Sequence, residues 1–267
     1  MTADRRLAPA DGAGVAGAGL DALQLVLVRH GQTQWNAEAR YQGHRDIPLS
    51  ATGAAQAAAL ASYMSQWDVA AVYSSDLSRA FETASRIAAA HGITVLRDRR
   101  LREMCFGDWE SLTHDEIESN YPDLYGAWLE SPATVHPPNG ETLADVRDRA
   151  LAALRDAVRA WSAGATAAGE AGRDARTVAD RSGRPVDGQG TRIVVVCHGG
   201  PIRAVLCTVL GLPLDQGFWR LGARPGTFAV LRGDTRAWRR FVSAGAAGEP
   251  ETACCALDVE TMDALPE

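Results

Sequence analysis

The sequence predicts an α/β protein, a three-layer α/β/α sandwich with disordered termini and one long insertion. Three observations lead there. Short apolar, β-branched runs at residues 23–28, 69–73 and 193–197 alternate with longer stretches of helical spacing. Two of those runs end in the same junction, His30-Gly31 and His198-Gly199. The chain has 267 residues, 46% of them hydrophobic, so it can bury one large core, and nothing in it demands two domains.

The elements follow in order. Residues 1–20 are rich in Ala and Gly with little to bury, and are expected to be disordered. Residues 23–28 form a buried strand. Ser50 is placed to cap a helix over 51–66, where Ala and Leu favour that state. A strand over 69–73 precedes a helix over 76–91 that stops at Gly92, and a further strand covers 93–96. Leu143, Val146, Ala150, Leu151, Leu154, Val158 and Trp161 repeat at one-sided helical spacing and predict a helix over 142–161. Residues 162–190 then lose nearly every large apolar side chain and predict a disordered insertion, long for a loop within a compact domain. After the 193–197 strand comes a helix over 199–211, then a hairpin of 227–231 with 236–242 around Gly233-Asp234. The domain so outlined covers 21–243, and the acidic stretch 244–267 is expected to be a mobile tail.

Composition excludes several classes of function. All 27 basic residues are arginine, so a catalytic lysine, a Schiff base and a Walker-type lysine are ruled out. A net charge of −6 without a basic run argues against nucleic acid as a partner. No stretch reaches 18 consecutive apolar residues, so no membrane span is expected. The N-terminus has no continuous apolar core of a signal peptide, and the five cysteines show no C-x-x-C spacing. Both features point to a reducing, cytoplasmic setting. His44, His91, His114 and His136 show no metal-ligand spacing, so neither a metal nor another cofactor is expected. The oligomeric state is not legible.

Chemistry concentrates at the strand ends, where open α/β sheets bind ligands. Arg29 offers a permanent planar charge suited to phosphate, His30 a ring nitrogen able to attack near neutral pH, and Gly31 a tight turn. His198, followed by two glycines, would face His30 across one pocket.

These blocks resemble the histidine phosphatase superfamily, which includes cofactor-dependent phosphoglycerate mutases and small phosphomonoesterases. The matching residues run from Arg29-His30-Gly31 to Asn36, then through Tyr41-Gln42-Gly43 and Asp46 to Ser50. They continue with Ser74-Ser75-Asp76-Leu77-Ser78-Arg79-Ala80, Leu101-Arg102-Glu103, Phe106-Gly107-Asp108-Trp109-Glu110 and His198-Gly199. Glu82 and Ser111 depart from the usual glutamine and glycine. The resemblance implies a phosphoglycerate mutase-like fold without a metal. His30 would be the nucleophile that becomes phosphohistidine, with its second ring nitrogen donating to a backbone carbonyl. Arg29, Arg79 and His198 would surround the phosphoryl oxygens, aided by Asn36 and Gly199. Glu103, partly desolvated between Leu101 and Met104, would deliver and later remove the proton. Gln42 and Gly43 would touch substrate.

The wording around Glu103, with Pro137-Pro138-Asn139-Gly140-Glu141-Thr142 downstream, most resembles the α-ribazole-5′-phosphate phosphatases and their broad-specificity relatives. The expected substrate is accordingly a small phosphorylated metabolite, with α-ribazole 5′-phosphate as one candidate. A mutase would hold a second anion with basic residues in the lid segment. Here residues 104–146 contain nine acids and no arginine, and Phe106 stands in place of a tyrosine. That lid is expected to repel polyanions and favour a neutral or apolar alcohol. The alternatives are a phosphoglycerate mutase and a non-catalytic phosphate-binding scaffold; the scaffold would be betrayed by loss of His30, Arg29 or Glu103, all of which are present.

Overall fold

The computed structural model describes residues 20–164, 190–244 and 257–262. Its centre is a six-stranded sheet. In chain order the strands are β1 (Leu23–Arg29), β2 (Val69–Ser74), β3 (Val95–Arg97), β4 (Thr191–Cys197), β5 (Phe228–Arg232) and β6 (Asp258–Met262). In space they run β3-β2-β4-β1-β5-β6. The first four of these positions are parallel, whereas β5 lies antiparallel to both β1 and β6. β1 and β4 are buried on both faces, which is why each reads as an unbroken apolar run rather than an alternation.

The longer helices cover both faces. On one side α2 (Ala51–Met64) and α3 (Ser78–His91) pack against Val26, Val28, Val194, Val196 and Val230. On the other, α6 (Leu143–Ser162), α7 (Gly199–Val209) and α9 (Thr235–Ser243) pack against Leu25, Leu27, Ile193, Val195 and Leu231. A third apolar cluster sits over the strand ends. It joins Met104, Trp109 and Phe218 to the short helices α4 (His114–Asn120) and α5 (Pro122–Glu130). The one-turn helix α1 (Gln34–Ala37) and α8 (Leu214–Gly217) complete the described set. Among the described residues no helix is long and apolar enough to cross a membrane.

The local signals act as expected at most helix ends. Ser50 accepts from Gly53 N, Thr142 and Asp145 form a capping box, and Gly92 ends α3 in the left-handed region at φ 64°. Two expectations are corrected. Residues 236–242 do not form a hairpin arm but belong to α9, because the Asp234 carboxylate accepts from Ala237 N and caps a helix. Ala237, Trp238, Phe241 and Val242 then share one buried face. The tail read as mobile supplies β6, which pairs with β5 and tucks Leu257 into the core beside Val259. Residues 1–19, most of the expected insertion (165–189) and the rest of the tail (245–256 and 263–267) lie outside the described residues.

Gly53 shows packing overriding propensity. A Cβ there would collide with the backbone carbonyl of Gln32, and a Cβ on Gly31 would collide with Gly53 itself. Helix α2 thus starts against the loop that follows β1. Gly126 in α5 has open space around it. In a helix, alanine normally gains about 1 kcal/mol over glycine, whereas overpacking costs about 1–3 kcal/mol. Gly126→Ala is therefore expected to raise the thermal midpoint and Gly53→Ala to lower it. Thermal unfolding checks both, and a stabilised Gly53→Ala would contradict the contact between α2 and the strand-end loop.

Candidate active site

The register of β1 on β4 builds the site. Arg29 pairs with Cys197, so the next residues of the two strands, His30 and His198, emerge side by side. His30 N donates to Cys197 O at 3.1 Å, and the two imidazole centroids lie 5.0 Å apart at an interplanar angle of 64°. The chain leaves β1 toward α2 on one face and leaves β4 into α7 on the other, which opens a crevice where they diverge. A cavity of about 240 Å³ occupies it. Its wall includes Arg29, His30, Asn36, Gln42, Arg79, Glu103 and Gly199.

His30 Nδ1 lies 2.6 Å from Gly31 O. A carbonyl can only accept, so Nδ1 carries the proton and Nε2 keeps its lone pair. Burial lowers the His30 pKa well below the usual value, and the Arg79 and Arg29 charges push it further down. The ring is therefore neutral at neutral pH, as a nucleophile must be. His198 is fully buried behind it and is not part of the cavity wall. Its pKa is also held well below the usual value, by burial and then by Arg79, His30 and Arg29.

The two guanidiniums are fixed by main-chain carbonyls. Arg79, in the first turn of α3, donates to Arg45 O and Gly43 O at 2.8 and 2.9 Å. Arg29 donates through Nη1 to Ala223 O. Burial lowers both pKa values to about 10, so both remain charged at neutral pH. The Nε of each, and both His198 nitrogens, are buried with no hydrogen-bond partner among the described residues. Buried polar groups are nearly always paired. Arg29 and Arg79 both line the cavity beside His30, an arrangement suited to phosphoryl oxygens.

The remaining expected residues take several places. Asn36 closes the capping box that Thr33 opens at the start of α1: its Oδ1 accepts from Thr33 N, which leaves Nδ2 as the donor it can offer the cavity. Gln42 is held by Thr33 Oγ1 at 2.9 Å. Gly43 is not on the cavity wall; it supports Arg79, and a Cβ there would meet the Glu110 carboxylate. Gly199 packs so closely on Arg29 that a Cβ would lie 3.2 Å from Nη1. Glu103 is half-buried and accepts from Met104 N at 2.9 Å and Gly200 N at 3.0 Å. It pairs with neither Arg100 nor Arg102, which bind Asp98 with Asp156, and Asp76, instead. Its loop is clamped from α6 by Arg149, which donates to Arg100 O, Arg102 O and Glu103 O at 2.7, 2.6 and 2.8 Å. Among the described residues no group of three His, Cys, Asp or Glu side chains converges as a metal site.

The acidic-lid argument is corrected by the geometry. None of the nine acids in residues 104–146 lines the cavity. Glu110 holds His44 N, Glu116 and Asp145 serve capping boxes, and Glu141 grips Arg149. Asp115, Glu118, Asp123 and Glu130 are exposed. What the segment gives the cavity is aromatic: Phe106 and Trp128, beside Trp35, Tyr41, Phe218 and Trp219. Two basic residues that the sequence reading missed also line it, Arg40 and Arg203. The signal for Arg203 was there, one helical turn beyond Gly199 on the same face of α7.

An imidazole pair beside two fixed guanidiniums, with a carboxylate on the same cavity wall, is an arrangement able to transfer a phosphoryl group. Comparison with known proteins identifies the family. The sequence profile described as histidine phosphatase superfamily (branch 1) matches residues 25–168 and 159–242, and the chain belongs to that family. It is 31% identical over 214 residues to phosphoserine phosphatase 1 of Hydrogenobacter thermophilus, covering 80% of this chain and 88% of that protein. It is 37% identical over 214 residues to the glucosyl-3-phosphoglycerate phosphatase of Mycolicibacterium vanbaalenii, covering 80% and 86%. Among solved structures, a putative α-ribazole-5′-P phosphatase of Escherichia coli K-12 superposes with a TM-score of 0.60 at 26% identity, over 78% of this chain and 89% of that one. The resemblance read from the motif blocks, α-ribazole phosphatases included, is thereby borne out.

The buried neutral histidines have a consequence for stability. In the unfolded chain both take up a proton below about pH 6.5, while in the fold they do not. The unfolded state thus binds more protons, and stability falls as pH drops below 6.5, by about 1.4 kcal/mol per pH unit for each histidine. Urea unfolding at pH 7.5, 6.5 and 5.5 is expected to show this slope, and His198→Gln to reduce it by one proton. An unchanged slope in that variant would mean that His198 is protonated in the fold.

Proposed function

We propose that this histidine phosphatase hydrolyses small phosphomonoesters through a phosphohistidine at His30, without a metal. The observation that carries the reading is the anchoring of His30 Nδ1 on Gly31 O on a cavity wall shared with Arg29 and Arg79. His30 Nε2 attacks phosphorus while the P–O bond to the alcohol breaks. The electron pair goes to the leaving oxygen, which takes a proton from Glu103. Water then attacks the phosphohistidine as Glu103 removes its proton, the P–N bond breaks, and His30 regains its lone pair. Arg29 and Arg79 hold the equatorial oxygens throughout, with the Asn36 amide and Gly199 N–H as further donors, while His198, off the cavity wall, acts through its contact with the His30 ring.

The names of the relatives include phosphatases for phosphoserine, glucosyl-3-phosphoglycerate and, from the solved structure, α-ribazole-5′-P. That range supports a phosphorylated metabolite as substrate, with α-ribazole 5′-phosphate retained as a candidate. A mutase must also retain a bisphosphorylated intermediate. Among the described cavity residues, only Arg203 is a cation without a hydrogen bond in the protein, which is too little for a second phosphate. The free thiols of Cys105, Cys197 and Cys207 support a reducing, cytoplasmic setting.

His30→Ala should abolish turnover, and a chelator should leave it intact. Glu103→Gln separates proton delivery from other roles, because general acid catalysis contributes about 10²–10⁴ in rate. The loss in kcat should be large on an alkyl phosphate and small on p-nitrophenyl phosphate, whose phenolate leaves unaided. Equal losses on both would assign Glu103 a different task.

A further inference from the structure

Glu103 stands on irregular chain. Residues 103–106 belong to neither helix nor strand, so no ladder of their own fixes where the carboxylate sits. The main-chain groups nearest the acid are paired from outside the loop instead. Glu103 O accepts from Arg149 Nη2 at 2.8 Å and from His44 Nε2 at 3.0 Å. Cys105 N donates to Glu141 Oε2 at 2.8 Å, and Cys105 O accepts from Glu141 N at 2.9 Å. The chain on both sides of Met104 is thus held by one ion pair, Glu141 with Arg149.

A guanidinium carries five N–H donors, and Arg149 uses all of them. Nε and Nη2 each meet a Glu141 oxygen at 2.9 Å, Nη1 meets Arg100 O and Arg102 O at 2.7 and 2.6 Å, and Nη2 also meets Glu103 O. Side chains on a helix lean toward its N-terminus, so Arg149 reaches back along α6 to Glu141, just ahead of the Thr142 cap. The helix itself is well anchored. Leu143 and Val146 join the apolar cluster over the strand ends, and Ala150 and Leu151 join the core against β1 and β4. The acid therefore hangs between two helices, its main chain on α6 through Arg149 and its carboxylate on α7 through Gly200 N. Arg149 does not line the cavity, so any part it plays in the reaction passes through Glu103.

We propose that Arg149, seated by Glu141, is the positioning residue of the general acid: it fixes the Glu103 main chain so that the carboxylate reaches the leaving oxygen. This rests on the acid role given to Glu103 above and extends it to a residue outside the cavity. A planar fork of five donors suits the task, whereas a lysine brings three donors on a flexible stem. Misplacing a reacting group by about 1 Å costs about 100-fold in rate. The effect belongs to proton delivery and not to phosphate binding.

The test compares an alkyl ester, glycerol 3-phosphate, with p-nitrophenyl phosphate, whose phenolate leaves without a proton. Arg149→Met and the more conservative Arg149→Lys should lower kcat/KM on glycerol 3-phosphate by about 10- to 100-fold, and on p-nitrophenyl phosphate by less than about 3-fold. Inhibition by inorganic phosphate should stay within about 3-fold of wild type, since Arg29 and Arg79 are untouched. In a Glu103→Gln background the Arg149 change should add less than about 3-fold on the alkyl ester, because the two residues act as one unit. Unchanged kcat/KM on the alkyl ester, equal losses on both esters, or failure of both variants to fold would leave Arg149 a stability residue and overturn the proposal. Independent, multiplying losses in the double variant would overturn it too. A Glu103→Gln enzyme with no leaving-group dependence fails differently: it overturns the acid role itself, and the proposal with it.

Discussion

The in-register pairing of β1 with β4 is the constraint on which the site depends. It sets Arg29 beside Cys197 and so delivers two histidines from distant parts of the chain to one place, 5.0 Å apart. Parallel neighbours need a long connection between them, and here that connection spans the lid segment, α6 and the expected insertion. Most of what surrounds the site is therefore carried between the two strands whose ends define it. The divergence of α2 and α7 to opposite faces then keeps the space above the histidines free of main chain.

Holding so many cations around two imidazoles is unfavourable on its own. Burial lowers the pKa values of Arg29, Arg79, His30 and His198 alike, and neighbouring cations push those of Arg29 and the two histidines further down. The fold answers with neutral acceptors in place of carboxylates. Gly43 O, Arg45 O and Ala223 O hold the guanidiniums, and Gly31 O holds the nucleophile. Carbonyls orient these groups without cancelling their charge, so the field stays available to a dianion. Glu103, the one carboxylate on the cavity wall among the described residues, is held by N–H groups and kept apart from the arginines' hydrogen-bonding edges.

Legibility in the sequence followed the physics of each feature. β1 and β4 could be read because strands buried on both faces leave continuous apolar runs, α2 because Ser50 caps it, and α6 because its apolar residues repeat on one face. Gly233-Asp234 misled because the same dipeptide that turns a hairpin also supplies an N-cap, and only the buried spacing of Trp238 and Phe241 decides between them. β6 was hidden because a short edge strand in an acidic tail gains its stability from β5, not from its own composition. The candidate catalytic residues were legible as motif blocks. The lid acids were not, since a count of charges along a segment says nothing about which face they occupy. Arg203 was passed over although it stands one helical turn beyond Gly199 on α7, whereas Arg40 had no such local signal.

The central claim is that the pair of strand-end histidines works by covalent transfer to His30. Its most direct test is rapid mixing with radiolabelled p-nitrophenyl phosphate, quenching in alkaline detergent, and mapping of the label after digestion. The account predicts label on the peptide containing His30, stable to alkali and lost in acid, formed before steady state and absent from His30→Ala. Steady turnover with no covalent label at any quench time, or label on a different residue, would contradict it.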